Sequence, residues 1–551
     1  MKRMIPLLLA GTLYAMRTSA QPGKYFQYPV PKVQVTGPVY RPSGTSFQVW
    51  APTADKAELL LYRGPLPGSG TSGKWDFREV GYGVWKVEVP GDLAGTYYAY
   101  RVRINGKWSE EVPDPNATLV GVNGVRGYIG DLQRTDPQGW DTDPGQVVKR
   151  KPARGNPPDA VVYELHVRDA TIHASSGVRN RGGYLGLAET GTRNQEGLST
   201  GLDHIKELGV THVHLLPFFD FASIDETKPD EARYNWGYDP LNYNAVEGSY
   251  SSDARDPMLR VRELKELILA MHKKGLKVVM DVVYNHTSSG EHSSFNQLVP
   301  GYYFRQDAKG GFSNATACGN ETASDRPMFR DFMIRSVTYW LKEFHLDGFR
   351  FDLMGVHDIQ TMNAVSKAVR EIKPDALLYG EGWTAGASPL PDSLRALKAN
   401  ASKLDGIAVF SDDLRDGIKG SVFDHGDRGF VSGKPGMEQS IRFGVVASVR
   451  HGQVDYKKVN YSKAPYAKEP GSTMTYCECH DNHTLWDKLA ISASDAKPEM
   501  REEMHRLALM TVLTSQGIAF LHAGTEFLRS KGGVENSFES PDSVNAMDWS
   551  R

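Results

Sequence analysis

Four short carboxylate-bearing segments, in a fixed order along 551 residues, constrain this chain more than any other feature. They are Asp281 in DVVYNH, Arg350 and Asp352 in DGFRFD, Glu381 in GEGW, and Asp481 in CHDN. Each closes a short apolar run that reads as a buried β-strand. Acids from separate strand ends converge only where those strands lie side by side and parallel.

The runs that carry them belong to a longer series: 161–166, 212–217, 277–286, 348–353, 377–381, 407–411, 475–480 and 518–523. Helical periodicity separates most of them. In 328–345 the apolar set Phe329, Phe332, Met333, Val337, Trp340, Leu341 and Phe344 keeps i, i+3, i+4 spacing, and 262–274 and 499–513 behave alike. Continuous apolar strands alternating with helices imply a parallel sheet covered on both sides. Eight repeats predict an α/β fold, a (β/α)8 TIM barrel over 160–551; an open doubly wound sheet is the alternative. Upstream, 38–140 alternates with period two between Gly- and Pro-rich turns, which predicts a β-sandwich, and 141–159 reads as a linker. Trp75, Trp85 and Trp108 in the sandwich are expected mostly in its core. The chain ends at Arg551 soon after the eighth run, so no long eighth helix and an uncovered apolar barrel flank are expected.

Composition excludes several partners. The chain is 40% hydrophobic and 24% charged with a net charge of −2, so no nucleic-acid surface is expected. Residues 1–20 have a secretory pattern: Lys2 and Arg3, an apolar stretch over 5–16, then Thr18-Ser19-Ala20. Export to a periplasm or the extracellular space is therefore expected, and no later run is long enough for membrane insertion. Three cysteines, Cys318, Cys477 and Cys479, make no disulfide framework. Cys477 and Cys479 fall on one face of the seventh run, and a bridge from Cys318 to either is the alternative to two buried thiols.

The acids suit glycosidic chemistry. Arg350 and Asp352 share a strand face, and an Arg beside a carboxylate keeps it ionised, as a nucleophile attacking an anomeric carbon requires. Glu381 lies between Gly380 and Gly382, with Trp383 as an apolar wall that raises a carboxyl pKa, as a general acid requires. Asp481 is placed to hold sugar hydroxyls, and His286 to donate to one.

DVVYNH, GFRFD, GEGW and HDN in this order resemble the signature segments of the α-amylase superfamily of glycoside hydrolases. Tyr234-Asn235-Trp236-Gly237-Tyr238-Asp239-Pro240 resembles the hallmark of type I pullulanases, and Tyr163-Glu164-Leu165-His166-Val167-Arg168-Asp169, Val299-Pro300-Gly301-Tyr302-Tyr303 and Ala523-Gly524-Thr525-Glu526 are similar to theirs. The resemblance covers the chain from about residue 38 and implies an endo-acting, retaining hydrolase of α-1,6-glucosidic linkages in pullulan, amylopectin and branched dextrins. It assigns Asp352 as nucleophile, Glu381 as acid/base and Asp481 as transition-state stabiliser, with Tyr238, His286, Arg350, His480, Trp236 and Trp383 as substrate contacts. It leaves Asp281 structural and likens the sandwich to a starch-binding module. The resemblance also implies a C-terminal β-domain after the barrel, which is not expected within 160–551. No cofactor is required, a Ca2+ ion at Asn285 is an option, and a monomer binding α-glucan is expected. Cys479 stands for Lys, His483 for Gln or Asn and Ser411 for Asn, three departures expected along the outer groove. An isoamylase-like debranching enzyme, or a non-catalytic glucan-binding protein, are the alternatives.

Overall fold

The computed structural model describes residues 24–146, 156–229, 231 and 233–550. The proposed leader over 1–20 and part of the linker lie outside these. Residues from 39 to 128 form two packed sheets. One runs in the order Val39–Arg41, Gly44–Trp50, Val84–Pro90, Arg78–Gly81; the other runs Thr71–Asp76, Lys56–Tyr62, Tyr97–Ile104, Lys107–Trp108, with Gly127–Tyr128 also on Tyr97–Ile104. Alternation buries Phe47, Val49, Leu59, Leu61, Tyr98, Tyr100 and Val102 between them. Of the three tryptophans expected mostly in the core, only Trp85 is buried. Trp75 and Trp108 are each 38% exposed, and the Arg101 guanidinium lies 4.6 Å over the Trp108 ring.

Eight parallel strands close a barrel: β1 Val161–Leu165, β2 His212–Leu215, β3 Lys277–Val282, β4 Gly348–Phe351, β5 Leu377–Gly380, β6 Ala408–Phe410, β7 Thr473–Thr475 and β8 Ile518–His522. Closure settles the choice against an open sheet. Val162, Val279, Tyr379, Phe410, Met474 and Phe520 fill the interior. Two residues further along β1 and β3, on the same face, stand Glu164 and Asp281. The strand pleat thus sets a layer of buried charge on top of an apolar plug.

Helix α1, Pro257–Lys273, starts on Asp256, whose carboxylate accepts from Met258 N and Leu259 N, with Pro at its first position. Helix α2, Pro327–Glu343, buries Phe329, Phe332, Met333, Val337, Trp340 and Leu341, the predicted stripe, against the barrel. The seventh strand is shorter than expected and shifted: it ends at Thr475, and Cys477 and Cys479 lie beyond it. The following backbone is held by side chains instead. His480 N donates to Glu164 Oε2 at 2.6 Å, so a carboxylate stands where a ladder partner was expected, and Glu478 Oε2 accepts from Leu485 N, at the start of the next helix, at 2.7 Å. All three cysteines are free.

The sandwich docks through aromatic rings. Trp50 meets Tyr302 at 4.7 Å and Tyr303 at 6.1 Å between centroids, and Arg335 of α2 donates to Asn116 Oδ1 at 2.6 Å. The segment expected as a linker carries a packed residue, Asp143. Its carboxylate, below the barrel, accepts from His272 and His345, and His272 also donates to Asp347 at 2.9 Å. The helix Pro498–Leu513, between the seventh and eighth strands, exposes Met500, Leu507, Met510 and Leu513. Among the described residues no helix is long and apolar enough to cross a membrane.

Candidate active site

Register brings the motif acids together. Asp281 of β3, Arg350 of β4 and Tyr379 of β5 are cross-strand partners, so the residues that follow β4 and β5, Asp352 and Glu381, emerge side by side at the C-terminal mouth. Arg350 is the hub. Nη1 donates to Asp281 Oδ1 at 2.9 Å and to Asp352 Oδ1 at 2.8 Å, while Nη2 lies 2.8 Å from Glu381 Oε1.

Asp281 is fully buried. It also meets His214 Nε2 at 3.1 Å and accepts from Tyr238 Oη at 2.6 Å. Burial alone would raise its pKa, but Arg350, His214 and Tyr238 hold it below its ordinary value. With its oxygens so occupied it aims Arg350 and Tyr238 and stays ionised.

Asp352 accepts on both oxygens, from Arg350 on Oδ1 and from Asn285 Nδ2 on Oδ2 at 2.8 Å. Burial, joined by the charges of Asp281 and Asp481, raises its pKa, and Arg350 and Asn285 offset only part of that rise. Two donated N–H bonds favour its carboxylate. Glu381 is 6% exposed; Oε2 accepts from Leu353 N at 2.9 Å. That donor is aimed by a strained backbone, since Leu353 has φ 37°. Burial first, then the charges of Asp352 and Asp481, push Glu381 up to about 7 against the pull of Arg350. Of the two carboxyls on this guanidinium, Glu381, raised to about 7, is the one suited to donate a proton near neutrality.

Asn285 Oδ1 lies 2.6 Å from His286 Nδ1, and its Nδ2 is engaged by Asp352. Nδ2 thereby orients Asp352 while Oδ1 meets His286. Burial lowers His286 to about 4, so its imidazole is neutral.

His480 Nδ1 meets Glu164 Oε1 at 2.7 Å. Burial would lower this histidine, but Glu164 and Asp481 raise it to about 9. Its ring stacks on Tyr238 at 5.0 Å and 17°. Trp236, expected to touch sugar, is 4% exposed and presents itself edge-on to the His480 ring at 4.9 Å. It packs with Leu216 and Tyr234 and supports the site from behind. Gly237 between them has φ 92°, and a Cβ there would stand 2.8 Å from the Phe221 ring, so the turn needs glycine.

Arg350, Glu381, Trp383 and Asp481 line a cavity of about 550 Å³, joined by Glu164, Phe423 and Glu535 among others. Asp481 is half exposed there, with Oδ1 3.8 Å from His480 Nε2. Of the three departures only Cys479 lines the cavity. Ser411 is fully buried and caps the helix Asp412–Lys419, and His483 sits behind the wall, 4% exposed. Sequence reasoning missed Glu164 as the partner of His480, although its segment stood out. It also missed Asn285 as the partner of Asp352, and Phe423, 88% exposed at the rim, which no motif marks.

A closed parallel barrel with this Asp–Arg–Glu mouth, behind a small β-sandwich, is the architecture of an α-amylase-type glycoside hydrolase. The family model for the α-amylase catalytic domain matches residues 178–316, and that for carbohydrate-binding module 48, the isoamylase N-terminal domain, matches 35–117. A pullulanase of Bacillus subtilis is 43% identical over 94% of this chain and 68% of its own length. Isoamylase 3 of rice is 27% identical, over 97% of this chain and 72% of its own. The crystal structure of a Paenibacillus barengoltzii pullulanase with maltohexaose and α-cyclodextrin superposes with a TM-score of 0.89 at 48% identity, over 96% of this chain and 79% of that one. The chain belongs to the pullulanase family, hydrolases of α-1,6-glucosidic linkages, and the isoamylase-like and non-catalytic readings are not favoured.

Proposed function

We propose that Asp352 is the nucleophile, Glu381 the acid/base and Asp481 the transition-state stabiliser in retaining hydrolysis of α-1,6 branch points in pullulan, amylopectin and branched dextrins. The observation that carries this reading is Arg350, which holds Asp352 and Glu381 side by side on one guanidinium. Asp352 attacks the anomeric carbon as Glu381 protonates the leaving oxygen. The glycosyl–Asp352 ester is then hydrolysed by a water that Glu381, now a carboxylate, deprotonates. Imidazolium His480 and Asp481 face the sugar beside the bond and hold its hydroxyls, with Tyr238, His286 and Trp383 as further contacts. No step needs a metal or an organic cofactor.

The full chain incubated with pullulan is expected to release maltotriose, and Asp352→Asn to abolish that release. Panose as product, or cleavage of unbranched amylose alone, overturns the linkage. We further propose an exported monomer, on the basic, apolar and small-residue pattern of residues 1–20. A mature protein beginning at Gln21 and eluting as a single chain would support both points.

A further inference from the structure

His425, His483 and Glu535 come from three separate loops and present ligand atoms that all lie within 4.8 Å of one another. His425 Nε2 is 3.0 Å from Glu535 Oε2, and the two imidazole rings are 4.7 Å apart. Two imidazoles and one carboxylate are a Zn2+ donor set, with a fourth position left for water. The group is built rather than accidental. His483 is buried, and its backbone carbonyl accepts from the buried Lys419 Nζ at 3.5 Å, which ties the residue down. His425 is carried on a loop whose backbone is clamped by one buried ammonium: Lys488 Nζ donates to the carbonyls of Ser421, Asp424 and His425 at 2.9, 2.6 and 3.0 Å. Only the exposed ends of His425 and Glu535 need turn to close on an ion about 2.0–2.2 Å from each ligand.

The cluster adjoins the reaction groove. His483 follows Asp481 by two residues, Glu535 lines the cavity shared with Glu381 and Asp481, and Phe423 of the His425 loop lines it too. We propose that His425, His483 and Glu535 bind one transition-metal ion of the Zn2+ class at the groove rim, and that the bound ion restrains the Phe423 loop and restricts glucan entry. The ion takes no part in bond cleavage, which lies with other residues.

Binding is measured on the chelator-stripped full chain by Zn2+ titration against a chromogenic competitor, without substrate, so the result is independent of hydrolysis. One ion per chain is expected, with affinity lowered at least about tenfold in His425→Ala and in Glu535→Gln. His292→Ala, which removes an exposed histidine paired with Glu110 at 3.1 Å, is expected to bind as the unaltered chain does. Failure to take up Zn2+, or equal affinity in the His425 and Glu535 variants, overturns the site. With pullulan, Zn2+ is expected to lower the rate of the unaltered chain reversibly and to leave His425→Ala unaffected. Inhibition that persists in that variant overturns the link to the groove.

Discussion

Arg350 Nη2 lies 2.8 Å from Glu381 Oε1, so the proposed acid is bound to the same guanidinium that holds the proposed nucleophile. The arrangement sets two opposing demands. Glu381 must be buried enough to keep a proton, and Arg350 must be charged enough to keep Asp352 without one.

The first consequence is a pH profile. Glu381 is raised to about 7 and acts protonated, so its contribution is present below that pH and lost as pH rises through it. The alkaline limb of kcat/KM on pullulan is expected to inflect near pH 7. A rate that stays level to pH 9 would assign the acid elsewhere.

Asn285 gives Asp352 a charge-assisted hydrogen bond at 2.8 Å that no other residue supplies to Oδ2. Such a bond contributes about 1.5–3 kcal/mol. Asn285→Ala is expected to lower kcat about 10- to 100-fold with little change in KM. An unchanged kcat in Asn285→Ala would show that Asp352 does not depend on this bond.

Phe423 stands 88% exposed on the groove rim with nothing packed over it. A ring stacked on a sugar face contributes about 0.5–1.5 kcal/mol, so Phe423→Ala is expected to raise KM for long glucans two- to tenfold or thereabouts. Its exposure predicts an unchanged Tm. Differential scanning calorimetry beside steady-state kinetics separates the two, and an unaltered KM would remove Phe423 from the substrate path.

Below the barrel, His272 sits between Asp143 and Asp347. Burial would lower it, but the two carboxylates raise it to about 9. A histidine raised above its unfolded value stabilises fully below about pH 6.5, and that stabilisation is lost as pH climbs to about 9. It amounts to about 3 kcal/mol. Urea midpoints measured between pH 6 and 9 should fall for the unaltered chain and change far less for His272→Gln.

Much of this was legible along the chain. Eight apolar runs, the stripe on α2 and the two-residue step from Arg350 to Asp352 are local patterns with a period, and each survived folding. The seventh run is the instructive miss. Residues 475–480 look like a strand, yet the ladder ends at Thr475, and His480 N donates to the Glu164 carboxylate instead. Nothing within that segment records that pairing, since Glu164 lies more than three hundred residues upstream. Trp236 teaches the same lesson: an aromatic in a signature motif reads as a sugar platform until packing places it behind His480.

By itself, then, the sequence determined which residues carry charge and at what spacing: a barrel with Asp352 and Glu381 just past strand ends, and Asp481 in the segment after the seventh strand. It could not say which amide orients the nucleophile, that Glu164 pairs with His480, or that His425, His483 and Glu535 meet. Those are decided by distance and burial, and both arise only when strands remote in the chain are packed against one another.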